Sequence, residues 1–349
     1  MDERVLIEAR NCTLAVEGGV IAQPTGRYDT ILRFPHSEVR PGLINAHDHL
    51  HRNHYGRLGS PPYLDARAWG RDIQSRFRRE ITEGRAMPRW QALLQGAWKN
   101  LFAGVTSVVH HDAWEPDFDR EFPLRVVNVA STDSVGVLPQ PPSLLSSPFC
   151  LHLAEGIGPG AADEVRLLAA RGLLARNLIA VHGIGMDDEA ISLFRCSGAA
   201  LAWCPSSNFF LFGRTAPPSL LRDGLDVLIG SDSLLSGVGD LLDELRLARS
   251  LALLDDERLE SAVGATAARR LGIPKPVLKR GSPADLVVLA RPLLEASAND
   301  VELVMVGGVP RVAHSRLSSE LKRKWPCGKV ATFNGVTRWI TAPRSSLPD

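Results

Sequence analysis

The stretch PGLINAHDHLHRNH, at residues 41–54, places four histidines within eight residues at the end of an apolar run. Imidazole is the usual nitrogen ligand of catalytic zinc, and its charge changes nearest to neutral pH. Residues two apart in a strand point to the same face, so we expect His47 and His49 to face one side and Asp48 the other. This spacing suits two ligands of one metal ion.

More histidines and acids follow other apolar runs of the chain. His152 and Glu155 lie in PFCLHLAE, His182 ends NLIAVH, and Asp232 ends DVLIGSD. A single histidine at such a position is more often a hydrogen-bonded core residue. Several that end separate, converging strands instead predict a metal site, for which the candidates are His47, His49, His152 and His182.

The elements that must position these residues are short apolar runs that alternate with amphipathic helical segments. Each run is predicted to be a buried strand: 41–47, 104–112, 123–131, 148–155, 177–183, 199–205 and 226–232. This alternation predicts an α/β fold, a TIM-like (β/α)8 barrel with its active site at the carboxyl ends of the strands. The Pro/Ser-rich residues 131–148 have room for a short eighth strand without its helix, so a distortion around the fourth strand is expected.

The two ends of the chain have a different pattern. Residues 4–23 and 281–313 read as strands broken by Gly-Gly turns, without helices between them. They predict one small β-domain built from both termini. The expected organisation is therefore an N-terminal part of this domain at 1–40, the barrel at 41–274, and the C-terminal part with a tail at 275–349.

Composition limits the partners of this 349-residue chain. The formal net charge of +1 provides no field for nucleic acid or an anionic membrane, and no apolar stretch approaches transmembrane length. The five cysteines are odd in number and never form a C-x-x-C pair, which argues against a disulfide framework and a zinc finger. We expect a cytoplasmic protein that acts on a small molecule.

Five motifs in order resemble the amidohydrolase superfamily, and more narrowly its cytosine deaminase-like and chlorohydrolase-like branch. They are NAHDHL, HLAE at 152–155, VHG at 181–183, CPSSN at 204–208 and GSDS at 230–233; ATAARRLGI and GSPADLVVL also match. The resemblance covers nearly the whole chain. It implies one divalent metal ion held by His47, His49, His152 and Asp232, with Glu155 and His182 handling protons.

Each implied role leaves an alternative. Asp232 could cap a helix, Glu155 could be a surface residue, and His182 could be a metal ligand. The chain has no lysine between Lys99 and Lys275, so the carbamylated lysine that bridges two metals in many family members is not expected, nor is a Schiff-base lysine in the barrel core. The site is predicted to be mononuclear. Zinc is favoured over iron or manganese, which ligand type does not exclude.

The resemblance implies deamination of an aminated nitrogen heterocycle. Hydrolysis of a cyclic amide or of a carbon–chlorine bond, and a non-catalytic binding role, are the alternatives. Loop residues predicted to contact the substrate are His51, His54, His111, Trp114, Trp203 and Asn208, although an aromatic residue at a barrel mouth is often only packed there. Family members are often dimers, so a homodimer is a further expectation.

Overall fold

The computed structural model describes residues 4–120, 122–135, 147–222 and 224–341. Its strands are β1 (Val5–Ala9), β2 (Thr13–Glu17), β3 (Val20–Ala22), β4 (Thr30–Phe34), β5 (Glu38–Pro41), β6 (Leu43–Asp48), β7 (Val105–His110), β8 (Arg125–Val127), β9 (Ala130–Thr132), β10 (Phe149–Leu153), β11 (Leu178–His182), β12 (Ala200–Trp203), β13 (Val227–Ile229), β14 (Leu286–Leu289), β15 (Val301–Val306), β16 (Val309–His314), β17 (Lys329–Phe333) and β18 (Val336–Ile340). Its α-helices are α1 (Ala66–Arg76), α2 (Arg78–Arg85), α3 (Arg89–Phe102), α4 (Ala161–Ala170), α5 (Asp188–Ser197), α6 (Pro205–Phe212), α7 (Pro218–Leu221), α8 (Leu241–Ser250), α9 (Asp256–Ala262), α10 (Ala265–Leu271) and α11 (Ser318–Lys324).

The centre of the molecule consists of parallel strands in two sheets. One has the order β6-β7-β8 and the other the order β9-β10-β11-β12-β13. Strands such as β6, β7 and β11 are buried along their whole length, as expected for parallel strands covered on both faces. At the seam between β6 and β13, the Asp232 amide donates to the His47 carbonyl at 3.0 Å. Among the described residues, no continuous ladder joins both sheets into a closed barrel.

The region of the expected fourth strand departs from a regular barrel. Two residues separate β8 from β9, so one bent segment pairs with β7 at its start and with β10 at its end. Because β9 and β10 are direct parallel partners, no other strand lies between them. Most of the Pro/Ser-rich stretch, residues 136–146, lies outside the described residues.

Strands from both ends of the chain form two further sheets, with the orders β3-β2-β1-β4 and β17-β18-β16-β15-β14-β5. Antiparallel pairing of β5 with β14 joins the two ends. One apolar core lies between these sheets and includes Ile7, Phe34, Leu286, Met305 and Trp339.

Local sequence accounts for the helices around the parallel strands. Asp187 caps α5 by accepting from the Ala190 amide, and Gly198 ends it in the left-handed conformation. Gly230 allows β13 to approach β6, because a Cβ there would lie 2.6 Å from the His47 Cβ. Within the described ranges, no helix has the length and apolar composition needed to cross a bilayer.

Candidate active site

Side chains from both parallel sheets converge at the carboxyl ends of the strands. His47 is in β6 and His49 directly follows it, His152 is in β10, and Asp232 follows β13. The Nε2 atoms of His47 and His152 are 3.4 Å apart, and the Asp232 Oδ1 lies 3.8 Å from His47 Nε2 and 3.9 Å from His49 Nε2. The structure therefore brings together the nitrogen and oxygen atoms of the predicted ligand set.

Hydrogen bonds orient the Asp232 carboxylate. Its Oδ2 accepts from the hydroxyls of Ser207 and Ser236, at 2.7 and 2.8 Å. Its Oδ1 accepts from the Ser233 amide and faces the histidines. Two hydroxyls occupy Oδ2, so Oδ1 is the oxygen available to a metal ion.

The outer ring nitrogens of two histidines have acceptors, which assigns their tautomers. The Nδ1 of His49 donates to Asp112 Oδ2 at 2.8 Å, and the Nδ1 of His152 donates to the Asp133 carbonyl at 3.0 Å. Both Nε2 atoms are then unprotonated and carry free lone pairs towards the centre of the group. Hydrogen-bonded outer nitrogens of this kind are typical of histidine ligands, so these residues fit a divalent metal ion.

Burial and crowding keep the imidazoles neutral. Burial lowers the pKa of His47 well below its ordinary value, and the neighbouring His111, His152, His49 and His182 lower it further. Burial likewise lowers the pKa values of His49 and His152. The neutral form is the one that binds metals, so the group is prepared for binding at neutral pH.

Glu155 and His182 lie beside this group. His182 is the last residue of β11, with a φ of 75°, and its Nδ1 donates to Asn208 Oδ1 at 2.8 Å. Its Nε2 is 3.5 Å from Glu155 Oε1. Burial raises the pKa of Glu155 to about 7, opposed by His182 and reinforced by Asp232 and Glu164. Glu155 can therefore take up or release a proton near neutral pH.

A cavity of about 560 Å³ opens above these residues. Its floor includes His49, His152, Glu155, His182 and Asp232. Residues at the start of α1 and in the loop after Glu155 form its walls, among them Leu64, Asp65, Arg67, Trp69, Gly156 and Pro159. The Ala66 amide donates to the Glu155 carbonyl at 3.2 Å, which ties the α1 wall to the floor.

The residues predicted to contact the substrate lie in different places. His111 packs against His152, with ring centroids 4.1 Å apart, and Asn208 reaches the site through His182. The other four predicted residues are His51, His54, Trp114 and Trp203. In the described part of the chain, none of the six lines the cavity. Trp203 is fully buried in the apolar core because its side chain faces the helices, with its N–H donating to Thr215. For Trp203 the structure corrects the expectation of a loop residue at the mouth.

The remaining three contact their own loops. His54 lies against Tyr55 and reaches the Gly84 carbonyl, and Trp114 donates to Asp119. His51 lies 3.5 Å from Asp112, beside His110. A second group of possible ligand atoms belongs to His51, His110 and Asp112, which lie close enough together to hold a cation. The Leu50 amide donates to His110 Nδ1, so the proton of neutral His110 is on Nε2 and this ring has no free lone pair.

Sequence reasoning did not assign roles to several residues that the structure places around the site. Asp112 was a loop candidate for substrate recognition and Ser207 lies within the CPSSN motif, but nothing local indicated that they contact His49 and Asp232. The sequence predicted no Schiff-base lysine in the barrel core, and it did not indicate that Lys99, which precedes the lysine-free stretch, is buried beside the site. Lys99 on α3 is 1% exposed, and its Nζ donates to the Asp232 carbonyl at 2.6 Å, because α3 packs against the helical turn at Leu50–Arg52 that follows β6.

Comparison with known proteins gives a family match and several relatives. Residues 150–311 match the model of the amidohydrolase family. A protein from Pyrococcus abyssi named 5-methylthioadenosine/S-adenosylhomocysteine deaminase is 29% identical over 194 residues, covering 45% of this chain and 44% of that protein. One of the same name from Moorella thermoacetica is 24% identical over 355 aligned positions, covering 80% and 83%. The chain thus spans less than half the length of the first relative.

Two solved structures share the fold. An adenosine deaminase from Xanthomonas campestris with bound zinc has a TM-score of 0.66 and 20% identity, covering 89% of this chain and 93% of that one. The atrazine chlorohydrolase from Arthrobacter aurescens TC1 complexed with zinc has a TM-score of 0.64 and 16% identity, covering 88% and 95%. The family match and these neighbours imply a TIM-like barrel.

Proposed function

We propose that this chain is a metal-dependent hydrolase of the amidohydrolase superfamily, whose model matches residues 150–311, and that it deaminates an aminated nitrogen heterocycle. The main support is the convergence of the Nε2 atoms of His47, His49 and His152 with Asp232 Oδ1: His47 lies 3.4 Å from His152, and Asp232 lies 3.8 and 3.9 Å from His47 and His49. Beside them is Glu155, whose pKa burial raises to about 7. That combination provides a metal site and a proton carrier in one cavity.

His47, His49, His152 and Asp232 are the residues proposed to hold one divalent metal ion. The chemistry that such an ion supplies is a bound water whose pKa is lowered towards neutrality. Zinc is proposed as the metal, because the ligands are nitrogen and oxygen atoms and both structural neighbours contain it. We propose a single ion because the chain has no lysine between Lys99 and Lys275 that could be carbamylated and bridge two metals. In addition, the Nε2 of His110 carries a proton, so this ring has no free lone pair for a second ion.

Deamination adds water to the ring carbon that bears the amino group and breaks the carbon–nitrogen bond to release ammonia. The two protons of the water must reach a ring nitrogen and the leaving amine. Glu155 is proposed to carry them, because its carboxyl lies in the cavity floor and gains or loses a proton near pH 7. His182, held by Asn208, is proposed to orient the water and Glu155, and Asp232 to accept the first proton.

Substrates to examine first are 5-methylthioadenosine and S-adenosylhomocysteine, which the names of the relatives give. A cavity of about 560 Å³ suits a molecule of this size. We also propose the domain division at residues 40 and 274, on the basis of the pairing of β5 with β14. A cytoplasmic location and a homodimer stay predictions of the sequence.

The test is ammonia release by zinc-loaded wild-type chain and a Glu155→Gln variant. Loss of the proton carrier is expected to lower kcat by about 10²- to 10⁴-fold while metal content stays at one equivalent. Glu189→Gln, a surface change on α5, is the matched control and retains wild-type activity. Chloride release from a chlorinated ring without ammonia release from any aminated one would instead favour the chlorohydrolase alternative.

A further inference from the structure

A buried ion pair lies next to the proposed metal site, and neither of its residues lines the cavity. The Nζ of Lys99 is 3.0 Å from the Asp48 carboxylate, and both side chains are at most 1% exposed. Asp48 also accepts from the amides of Asn53 and Asn100, at 2.8 and 2.7 Å. Lys99 is therefore not the only donor that satisfies Asp48.

The same ammonium group contacts the proposed ligand residue itself. Lys99 Nζ donates to the Asp232 carbonyl at 2.6 Å, while the Asp232 amide donates to the His47 carbonyl at 3.0 Å. Asp232 has a φ of 50°, a left-handed conformation that is uncommon outside glycine and must be held by its surroundings. These two contacts, with a third from the Ser231 hydroxyl to the Asp232 carbonyl at 3.2 Å, hold Asp232 between β6 and α3.

This arrangement lies at the seam where β6 and β13 share no ladder among the described residues. Side chains cross the seam instead: the Ser231 amide donates to Asn45 Oδ1, and Asn45 donates to Ser231 Oγ. Lys99 adds the contact from α3. Asp232 follows β13, whose edge forms no ladder with β6, so its position depends on these hydrogen bonds across the seam.

We propose that Lys99 is a positioning residue that holds Asp232 in the orientation required for metal binding, through its contact with the Asp232 carbonyl. The inference rests on the metal site of the proposed function. The alternative is a purely structural role, in which Lys99 serves only as the counter-ion of buried Asp48.

Two variants separate these roles. Asp48→Asn removes the carboxylate of the ion pair but leaves the Lys99 donor at Asp232, whereas Asp48→Asn/Lys99→Met also removes that donor without leaving Asp48 as an unpaired carboxylate. Zinc affinity is measured by competition with a chromophoric chelator, and the coordination geometry by the visible absorption of the cobalt-loaded chain. Arg338→Met is the control for general destabilisation, because Arg338 on β18 is a buried cation that donates to carbonyls of β15 and of the turn before it.

The double variant is expected to bind zinc about 10- to 100-fold more weakly than Asp48→Asn and to change the cobalt spectrum. Asp48→Asn and Arg338→Met are expected to keep the wild-type spectrum. Equal affinity and spectra in Asp48→Asn and the double variant would overturn the proposal, as would an Arg338→Met variant that loses metal to the same degree. Wild-type chain that binds no cobalt would instead contradict the proposed metal site, and the inference with it.

A second measurement does not depend on how the variants fold. A crystal structure of the metal-loaded wild-type chain is expected to retain Lys99 Nζ within hydrogen-bond distance of the Asp232 carbonyl, with Asp232 left-handed and coordinating the metal. A metal-bound structure with Nζ away from that carbonyl would overturn the proposal.

Discussion

At the scale of single residues, the site depends on hydrogen bonds behind the histidines. The outer nitrogens of His49 and His152 donate to oxygens of Asp112 and Asp133, and His182 donates to Asn208. His111 is oriented the other way, because its Nε2 donates to the Thr132 carbonyl and leaves Nδ1 unprotonated. Each tautomer, and with it each lone pair, is thus decided by a residue beyond the histidine itself.

Asp112 provides the residue-scale prediction. Asp112→Asn replaces a charged acceptor of the His49 proton with a weaker neutral one, so zinc affinity is expected to fall by about 10- to 100-fold. Binding of one equivalent at saturating zinc is expected to remain, because the four proposed ligands are intact. Chelator competition measures both quantities. Asp117→Asn, which alters a carboxylate of the same loop paired with Arg120, is the control, and an equal loss there would contradict the prediction.

At the scale of elements, three consecutive residues of α6 each form a hydrogen bond with a different partner. Ser206 donates to Glu244 on α8, Ser207 donates to Asp232, and Asn208 accepts from His182. Burial raises the pKa of Glu244 to about 8, while its hydrogen bonds from Ser206 oppose the rise. A buried carboxyl on α8 therefore fixes the helix that positions Asp232 and His182.

Glu244 makes the stability of the metal-free chain depend on pH. Its pKa in the folded chain is above its ordinary value of 4.5, so the folded state holds a proton that the unfolded state releases between about pH 4.5 and 8. Raising the pH through this window therefore destabilises the folded state, by up to about 1.4 kcal/mol per pH unit for this group. Urea unfolding is expected to show a smaller decrease for Glu244→Gln than for the wild type, because Glu155, whose pKa is also raised, still contributes in the variant.

A matched change tests whether the effect belongs to Glu244. Glu257→Gln removes an exposed carboxyl on α9 and is expected to follow the wild-type pH dependence. A free energy of unfolding whose pH dependence is the same in the wild type and Glu244→Gln would show that Glu244 does not retain its proton in the folded chain.

At the scale of the whole molecule, the proposed ligands come from both parallel sheets. His47 and His49 belong to the β6 sheet, whereas His152 and Asp232 belong to the sheet that runs from β9 to β13. No continuous ladder joins these sheets in the described part of the chain. A metal ion at this site would therefore link the two sheets at the seam between β6 and β13, opposite the segment of β8 and β9 that already joins them.

Metal binding is accordingly expected to stabilise the entire fold. Zinc at 100 times its Kd would add about 2.7 kcal/mol to the free energy of unfolding, provided that it binds only the folded chain. Differential scanning fluorimetry with and without a chelator measures the resulting rise in Tm. In His152→Ala the rise is expected to be largely lost. An equal rise in that variant would indicate that zinc binds elsewhere.

The sequence by itself determined which residues lie at the strand ends and which face of β6 they occupy. Alternation within a strand is a local property, so His47 and His49 could be separated from Asp48 without knowledge of any partner. The seven predicted strands also match β6, β7, the segment of β8 and β9, and β10 to β13, because continuous apolar runs are characteristic of buried parallel strands.

Only the tertiary structure decided how those residues meet their partners. The contact of Lys99 with Asp232 spans 133 residues, and that of Asn45 with Ser231 spans 186. Trp203, expected at the mouth, is instead in the core. Hydrophobic periodicity reports the local face of a side chain, whereas tautomers, the direction of Asp232 Oδ1 and the burial of Lys99 depend on atoms brought from distant parts of the chain by packing.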